Sequence, residues 1–226
     1  MGVHRRTDVR LRMTPGAPPV RALRPCDFSV RRGEFVTVVG PSGSGKSTFL
    51  NVVGLLDAPT EGSYLLDGID TGALRDAERT ALRGQRIGFV FQSFHLLPHR
   101  TAAENVALGM TYTGVPRPER ARRSHEALVR VGLGHRLHSV PTQMSGGERQ
   151  RTAIARAVAG RPSLLLCDEP TGNLDSSNAE SVLRLLDELH ADGMTIVVIT
   201  HDPLVAAHGT RTVTIHDGVL REELPV

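Results

Sequence analysis

The stretch that decides the fold is Val38-Val39-Gly40-Pro41-Ser42-Gly43-Ser44-Gly45-Lys46-Ser47-Thr48. An apolar run over residues 35–39 leads into it, and a helical pattern over residues 47–55 leads out of it. Its glycines let the backbone curl so that successive N–H groups point inward at an anion, and the N-terminus of the helix adds partial positive charge. This succession of strand, loop and helix therefore predicts a phosphate-binding site.

The residues of this loop have distinct expected roles. Lys46 is the only lysine among the 27 Lys and Arg residues of the chain. This position therefore selects the compact ammonium charge of lysine rather than the planar guanidinium group of arginine. We expect Lys46 to reach the β and γ phosphates of a nucleotide and the Ser47 hydroxyl to hold Mg²⁺. The nucleotide-binding residues expected in this phosphate loop are Gly40, Pro41, Ser42, Gly43, Ser44, Gly45, Lys46, Ser47 and Thr48.

The composition indicates an ordinary globular chain in a reducing compartment. Of its 226 residues, 39% are hydrophobic and 23% are charged, which is sufficient for a sizeable core. A net charge of +3 is too small to indicate nucleic-acid binding, and the absence of Trp argues against an aromatic platform for bases. The two cysteines form no metal or disulfide pattern. We expect no signal peptide and no membrane span, so the chain is predicted to be cytoplasmic and to reach a membrane only through a partner.

Local patterns predict strands before the phosphate loop, and hairpin turns and a helix after it. Antiparallel strands are predicted at residues 9–13 and 26–30. Asp-Gly pairs at residues 67–68 and 217–218 predict tight hairpin turns. A helix is predicted at residues 177–191, with Ser177-x-x-Glu180 as its start signal.

The arrangement of these elements predicts an α/β fold with a helical insert. Strand and helix patterns alternate along the chain, except over about residues 93–159, where helical segments follow one another without a strand. We therefore expect a single domain over residues 1–226, with a mainly parallel sheet flanked by helices, an N-terminal antiparallel β part and an inserted helical subdomain. Its core would comprise about residues 1–92 and 160–226, and the subdomain about residues 93–159.

Polar side chains follow three of the predicted strands. Asp168 and Glu169 end an apolar strand, Gln92 ends another, and His201 follows a third. In a parallel α/β sheet, ligands lie beyond the carboxyl ends of the strands. Asp168 can therefore hold Mg²⁺, Glu169 can act as general base on an attacking water, Gln92 can touch the metal or that water, and His201 can donate to the γ phosphate. Taken alone, Gln92 or His201 also fits an exposed surface position.

A second glycine-rich turn opens a long helix at Ser145-Gly146-Gly147. Because its backbone N–H groups begin a helix, this Ser-Gly-Gly cradle (Ser145, Gly146 and Gly147) is a second predicted anion site. One nucleotide does not need two cradles. Two facing copies of the chain would explain both, with the cradle of one copy closing on the γ phosphate bound by the other.

Taken together, the order and spacing of these motifs resemble those of an ABC-type ATPase over nearly the whole chain. The motifs are Gly40–Ser47, Gln92, Ser145-Gly146-Gly147-Glu148-Arg149-Gln150, 164–169, Asn173-Leu174-Asp175 and His201. Four longer sequence segments resemble, within this family, the lipoprotein-release, macrolide-export and cell-division subgroup. They are Gly54-Leu55-Leu56-Asp57, Ile87-Gly88-Phe89-Val90-Phe91-Gln92, Glu104-Asn105-Val106-Ala107-Leu108 and Asp168-Glu169-Pro170-Thr171-Gly172-Asn173-Leu174-Asp175.

The resemblance implies a P-loop NTPase core and an ATPase that uses ATP and Mg²⁺. It implies a homodimer around two ATP molecules, crossed by Asn173–Asp175, that drives a transmembrane permease from the inner face of the cell membrane. It also implies that Phe94, Leu96, Leu97 and Pro98 help to form the groove for the coupling helix of that permease. Nucleic acid is not an expected partner.

Two departures and three alternatives accompany this interpretation. The family usually has an aromatic residue that stacks on adenine, expected here near Met13–Thr14, but no aromatic residue precedes Phe28. Met144 stands where Leu is usual, a mild exchange. A regulator of a membrane partner that transports nothing fits the same motifs. A nucleic-acid ATPase of this class would carry tandem halves or a long coiled-coil insert, and a small-molecule kinase would not need the Ser-Gly-Gly cradle.

Overall fold

The computed structural model describes residues 7–11 and 20–222. Within them the chain divides into two units. The first unit holds the described residues up to Thr80 and from Val197 onwards, and the second unit is Ala81–Ile196. The helix Asp76–Arg86 (α2) and the strand Thr195–Thr200 (β9) begin in one unit and end in the other. Residues 13–14, expected near adenine, lie outside the described residues.

The first unit is mostly β structure. Its helices are α1 (Lys46–Val53) and α7 (Pro203–Ala206), with a 3₁₀ turn at Thr71–Ala73. Its strands are β1 (Thr7–Leu11), β2 (Val20–Leu23), β3 (Phe35–Val39), β4 (Glu61–Gly62), β5 (Leu65–Leu66), β6 (Ile69–Asp70), β10 (Arg211–His216) and β11 (Val219–Glu222).

Strand pairing in this unit is both parallel and antiparallel. β3 pairs in parallel with β10, and β10 pairs antiparallel with β11. β1 pairs antiparallel with β2 and with β4, as the sequence predicts for the N-terminal part. The hairpins β5–β6 and β10–β11 turn at Asp67-Gly68 and Asp217-Gly218, whose φ angles of 51°, 80°, 49° and 76° are those of a type I′ turn.

The predicted strand at residues 26–30 is wrong. The strand before β3 is β2, and residues 26–30 form only an isolated β-bridge at Asp27. Phe28 and Val30 are buried, and the Phe28 ring packs edge-on against Phe49 at a centroid distance of 5.0 Å. The alternation in the sequence therefore reflects the packing of buried side chains more than a continuous hydrogen-bonded strand.

The second unit contains a parallel strand pair and most of the helices. Its strands are β7 (Ile87–Phe91) and β8 (Leu164–Asp168). Its helices are α3 (Ala102–Leu108), α4 (Arg117–Arg130), α5 (Gly146–Val158) and α6 (Ser176–Ala191), with 3₁₀ turns at Gly134–Arg136 and Pro141–Gln143. α3, α4 and α5 follow one another between the two strands. No helix in the described part of the chain is long and apolar enough to cross a membrane.

Helix starts and apolar stripes in this unit follow from local chemistry. Thr101 and Ser145 each close a capping box with the Glu three residues later. The predicted start signal of α6 is wrong, because Asp175 caps that helix by accepting from the Asn178 N–H at 2.9 Å. The apolar stripe of α6, formed by Val182, Leu185, Leu186 and Leu189, is buried throughout.

Candidate functional site

The phosphate loop is held tightly in the first unit. A Cβ atom on Gly40 would lie 2.2 Å from the Ile215 carbonyl oxygen, and one on Gly45 would lie 2.4 Å from the Ala22 carbonyl oxygen. Gly45 also has a φ of 108°, which an L side chain rarely adopts. The loop therefore has its shape because both positions lack a side chain.

Three features of this loop suit an anion. Lys46 Nζ donates to the carbonyl oxygens of Gly40 at 2.7 Å and Pro41 at 2.8 Å, which curls the cation over the loop. α1 has no side-chain cap and no acidic residue in its first turn, so its backbone N–H groups are open to a ligand. The Ser44 hydroxyl is buried and finds no hydrogen-bond partner among the described residues. A bound phosphate would supply acceptors to the lysine and to these N–H groups.

His201 is also in the first unit. It is exposed and directly follows β9, whose residues are all buried. Asp202 then caps α7 by accepting from the Leu204 N–H at 2.8 Å. A buried strand and a capped helix therefore fix the backbone on both sides of the histidine.

In the second unit, strand register brings two predicted site residues to one edge. Phe91 and Asp168 are direct partners at the end of the β7–β8 pair, so Gln92 and Glu169 follow side by side. Gln92 exchanges hydrogen bonds with Asn173: its Nε2 donates to Asn173 Oδ1 at 3.3 Å, and Asn173 Nδ2 donates to the Gln92 carbonyl at 3.0 Å. The structure thus gathers Gln92, Asp168, Glu169 and Asn173 at the carboxyl ends of β7 and β8.

The backbone at Glu169 has an unusual conformation. Its φ is 44°, in the left-handed region, and the next residue is Pro170. The Gly172 N–H donates to the Glu169 carbonyl at 3.1 Å, and the Gln150 side chain donates to the Pro170 carbonyl at 2.5 Å. Backbone strain of this kind collects at functional sites. The role of Gln150 was missed in the sequence, although a polar residue on the buried side of α5 signals it.

The Ser-Gly-Gly cradle also lies in the second unit, at the N-terminus of α5. Ser145 Oγ accepts from the Glu148 N–H at 3.2 Å, and Glu148 accepts from the Ser145 N–H at 2.8 Å. That backbone hydrogen bond, with Arg136 beside it, lowers the pKa of Glu148. In this structure the Ser145 hydroxyl therefore caps its own helix, and the backbone N–H groups of the first turn are what the cradle offers an anion.

Close packing joins this cradle to the start of α6. A Cβ on Gly147 would lie 2.0 Å from Asn178 Oδ1. Asn178 Nδ2 in turn donates to Asp175 Oδ2 at 2.7 Å. Hydrogen bonds from the Asn178 backbone, the Asn178 side chain and Ser177 lower the pKa of Asp175 to about 2. Sequence reasoning missed Asn178.

The predicted Mg²⁺ ligands are tested by their chemistry. Among the described residues, no group of three or more His, Cys, Asp or Glu side chains could hold a metal. The predicted set is the Ser47 hydroxyl, the Gln92 amide and the Asp168 carboxylate. All are hard oxygen donors, and Mg²⁺ bound to nucleotides takes few protein ligands and completes its shell with phosphate and water. The set therefore fits Mg²⁺ better than a metal that needs a full protein cage.

These features define the class as a phosphate-loop nucleotide-binding protein of the α/β type. A family model described as "ABC transporter" matches residues 23–172, and the chain belongs to that family. A solved structure described as the dimeric post-hydrolysis state of the ATP-binding cassette MJ0796 bound to ADP and Pi has a TM-score of 0.87 and 43% identity. The match covers 99% of this chain and 98% of the other, and it confirms the predicted α/β fold.

Two named relatives place the chain within the family. The uncharacterized ABC transporter ATP-binding protein YvrO of Bacillus subtilis (strain 168) is 50% identical over 91% of this chain and 90% of its own length. The macrolide export ATP-binding/permease protein MacB 2 of Aeromonas hydrophila subsp. hydrophila is 46% identical over 95% of this chain but only 33% of its own length. The chain is thus an ATP-binding ATPase subunit of the ABC transporter type, as the motifs predict.

Proposed function

We propose that the chain hydrolyses ATP as a closed homodimer around two ATP molecules and thereby drives a transmembrane permease. One observation carries the proposal: the chain has two glycine-containing helix starts suited to phosphate, one at α1 and one at α5. Since one ATP needs one such cradle, the second is explained when it closes on the nucleotide of a partner copy. The dimeric state named for the MJ0796 cassette supports this.

The first unit would bind the nucleotide. Lys46 would exchange its hydrogen bonds to the Gly40 and Pro41 carbonyls for the β and γ phosphates, and the backbone N–H groups of the loop residues Ser42 to Thr48 would enclose the same oxygens. His201 would donate to the γ phosphate.

The second unit would supply the chemistry. Glu169 would accept the proton of the attacking water, and Gln92, fixed by Asn173, would orient that water. The backbone N–H groups of Gly146 and Gly147, which begin the helix that Ser145 caps, would contact the γ phosphate held by the partner copy. Mg²⁺, held through Ser47, Gln92 and Asp168, would neutralise phosphate charge when bound.

Residues 93–159 would form the subdomain that meets the permease. α3 and α4 enclose a groove of about 410 Å³, whose lining combines apolar residues (Ala103, Ala107, Leu108, Ala121) with charged ones (Arg100, Glu104, Arg117, Arg120). Leu108 in this lining is 43% exposed, and Leu97, whose N–H donates to Asn105 of α3 at 2.7 Å, is 48% exposed. A lining of small apolar and charged side chains suits a short amphipathic helix, and the name of the longer macrolide-export relative joins an ATP-binding part to a permease. Such docking would place the chain on the inner face of the cell membrane.

Replacement of Glu169 by Gln tests the proposed function. The amide keeps the shape of the side chain but cannot accept the proton, so we expect phosphate release to fall at least about 100-fold. ATP binding should persist, and the variant should accumulate as an ATP-dependent dimer in size-exclusion chromatography with light scattering.

The matched control is Glu180→Gln, an exposed acid on α6 that pairs with Arg184 at 2.9 Å. It should retain wild-type turnover and form no trapped dimer. Wild-type hydrolysis by the Glu169→Gln variant would remove Glu169 from its assigned role. Loss of turnover without an ATP-dependent dimer would contradict the shared site.

A further inference from the structure

We propose that Gln150 is a positioning residue that sets Gln92 and Glu169 in their catalytic arrangement, an inference that rests on the proposed function. Gln150 is on α5 and is completely buried, at 0% exposure. Its Nε2 donates to the Pro170 carbonyl at 2.5 Å and lies 3.4 Å from the Phe91 carbonyl. These two carbonyls belong to the residue after Glu169 and the residue before Gln92.

One amide group therefore joins the ends of two neighbouring strands. Phe91 and Asp168 are partners in the β7–β8 register, so the atoms that Gln150 contacts flank both proposed catalytic side chains. The Gly172 N–H fixes the carbonyl of Glu169 itself at 3.1 Å. Gln150 thus supplies the hydrogen bond to the next carbonyl along the chain, that of Pro170.

The backbone at Glu169 needs such support. Its φ of 44° is uncommon for a residue with a side chain, and the residue before a proline is normally extended. A strained conformation persists only where the surrounding structure over-determines it. The bond from Gln150 to the Pro170 carbonyl and the bond from the Gly172 N–H to the Glu169 carbonyl fix the backbone that follows the strained residue.

The second polar atom of Gln150 shows that this position is not optimised for stability. Its Oε1 is buried and has no hydrogen-bond partner in the part of the chain that the structure describes. A buried acceptor without a partner is destabilising, and an apolar side chain of the same length would fill the space without that cost. The amide is therefore explained by what its N–H group does.

Two variants and one control test this role. Gln150→Met keeps the length and removes the donor, and Gln150→Asn keeps the amide but is one methylene too short to reach Pro170. Thr152→Val is the control, because Thr152 is also completely buried on α5 but donates only to the Glu148 carbonyl of its own helix, at 2.8 Å. The measurements are kcat and KM for ATP, the melting temperature and hydrogen exchange of the Gly172 amide.

We expect kcat to fall by about 10- to 100-fold in both Gln150 variants, with KM changed less than about threefold, since small displacements of catalytic groups cost rate rather than binding. The Gly172 amide should exchange faster in both. Thr152→Val should retain kcat within about twofold. A structural role alone would lower the melting temperature and spare kcat, or impair KM and kcat together.

Combination with Glu169→Gln separates the two proposals. If Gln150 acts through Glu169 and Gln92, Gln150→Met should lower the residual single-turnover rate of the Glu169→Gln variant by a smaller factor than it lowers the wild-type rate, because only the Gln92 part of its effect is left. A kcat within about twofold of wild type, or the same loss in both backgrounds, would overturn the positioning role. Failure of both Gln150 variants to fold would assign the residue to the core. If Glu169→Gln itself kept wild-type turnover, the proposed function would fail instead.

Discussion

Substitution of Gly147 by Ala should destabilise the start of α5 through one defined collision. The new Cβ would lie 2.0 Å from Asn178 Oδ1 and 2.6 Å from Asn178 Cγ, where ordinary contact begins at 3.4 Å. To reach 3.4 Å from the new Cβ, Asn178 Oδ1 must move by about 1.4 Å from its distance of 2.0 Å. The side chain then gives up the 2.7 Å hydrogen bond from Asn178 Nδ2 to Asp175. Overpacking of this size costs about 1–3 kcal/mol.

The adjacent glycine provides the matched control. A Cβ on Gly146 would meet only Leu174 Cδ2 at 3.4 Å and the Asn173 carbonyl at 4.0 Å, which are ordinary contacts. Since Ala favours the helix over Gly by up to about 1 kcal/mol, Gly146→Ala should be neutral or stabilising.

Thermal unfolding measures both effects. At about 2–4 °C per kcal/mol for a chain of this size, Gly147→Ala should lower the melting temperature by about 2–12 °C, and Gly146→Ala should leave it unchanged or raise it by up to about 4 °C. Adding Asn178→Ala to Gly147→Ala removes the collision and should recover part of the loss. Equal melting temperatures for the two glycine variants, or no recovery in the double variant, would refute the packing argument.

Two further predictions concern the phosphate loop and the cap of α6. Lys46→Met should abolish the rise in melting temperature that ATP gives the wild type, whereas Lys46→Arg, with its larger planar group, should restore little of it; full restoration would show that any cation serves. Asp175→Ala should lower the melting temperature because α6 loses its cap. The folded pKa of Asp175, about 2, is below its ordinary value of 3.8, so its contribution is fully present above about pH 4 and is lost as pH falls through about 2. Melting curves from pH 5 to 9 should therefore show a constant difference between wild type and Asp175→Ala, and a difference that varies over this range would contradict the assignment.

Much of the fold could be predicted because its signals are local. The apolar run at residues 35–39 and the helix predicted at residues 177–191 have continuous or periodic patterns, and the structure has them as β3 and α6. The strand predicted at residues 26–30 is reduced to one β-bridge at Asp27, because alternation records which side chains are buried and not which backbone atoms pair. The start of α6 was predicted from the Ser177-x-x-Glu180 pattern. In the structure the helix is capped by Asp175, two residues before Ser177, whose side chain accepts from the Asn178 N–H.

The site was predictable as a set of residues but not as a set of contacts. Order and spacing indicate Gln92 and Glu169, since strand ends meet at one edge of a sheet. The partners that hold them, Asn173 and Gln150, are 81 residues beyond Gln92 and 20 residues before Pro170, and only the folded chain brings them together. The strain at Glu169 is likewise a property of the backbone that residue identity does not encode.

The dependence of ATP hydrolysis on protein concentration tests the central claim most directly. If Lys46 of one copy works only with the Ser-Gly-Gly cradle of another, the rate at saturating ATP and Mg²⁺ should rise with the square of the subunit concentration below the dimer dissociation constant and become linear above it. A mixture of an inactive Lys46→Met chain and a chain altered in the cradle should regain activity through mixed dimers. A rate strictly proportional to concentration over the whole dissociation range, with no recovery in the mixture, would contradict the shared site.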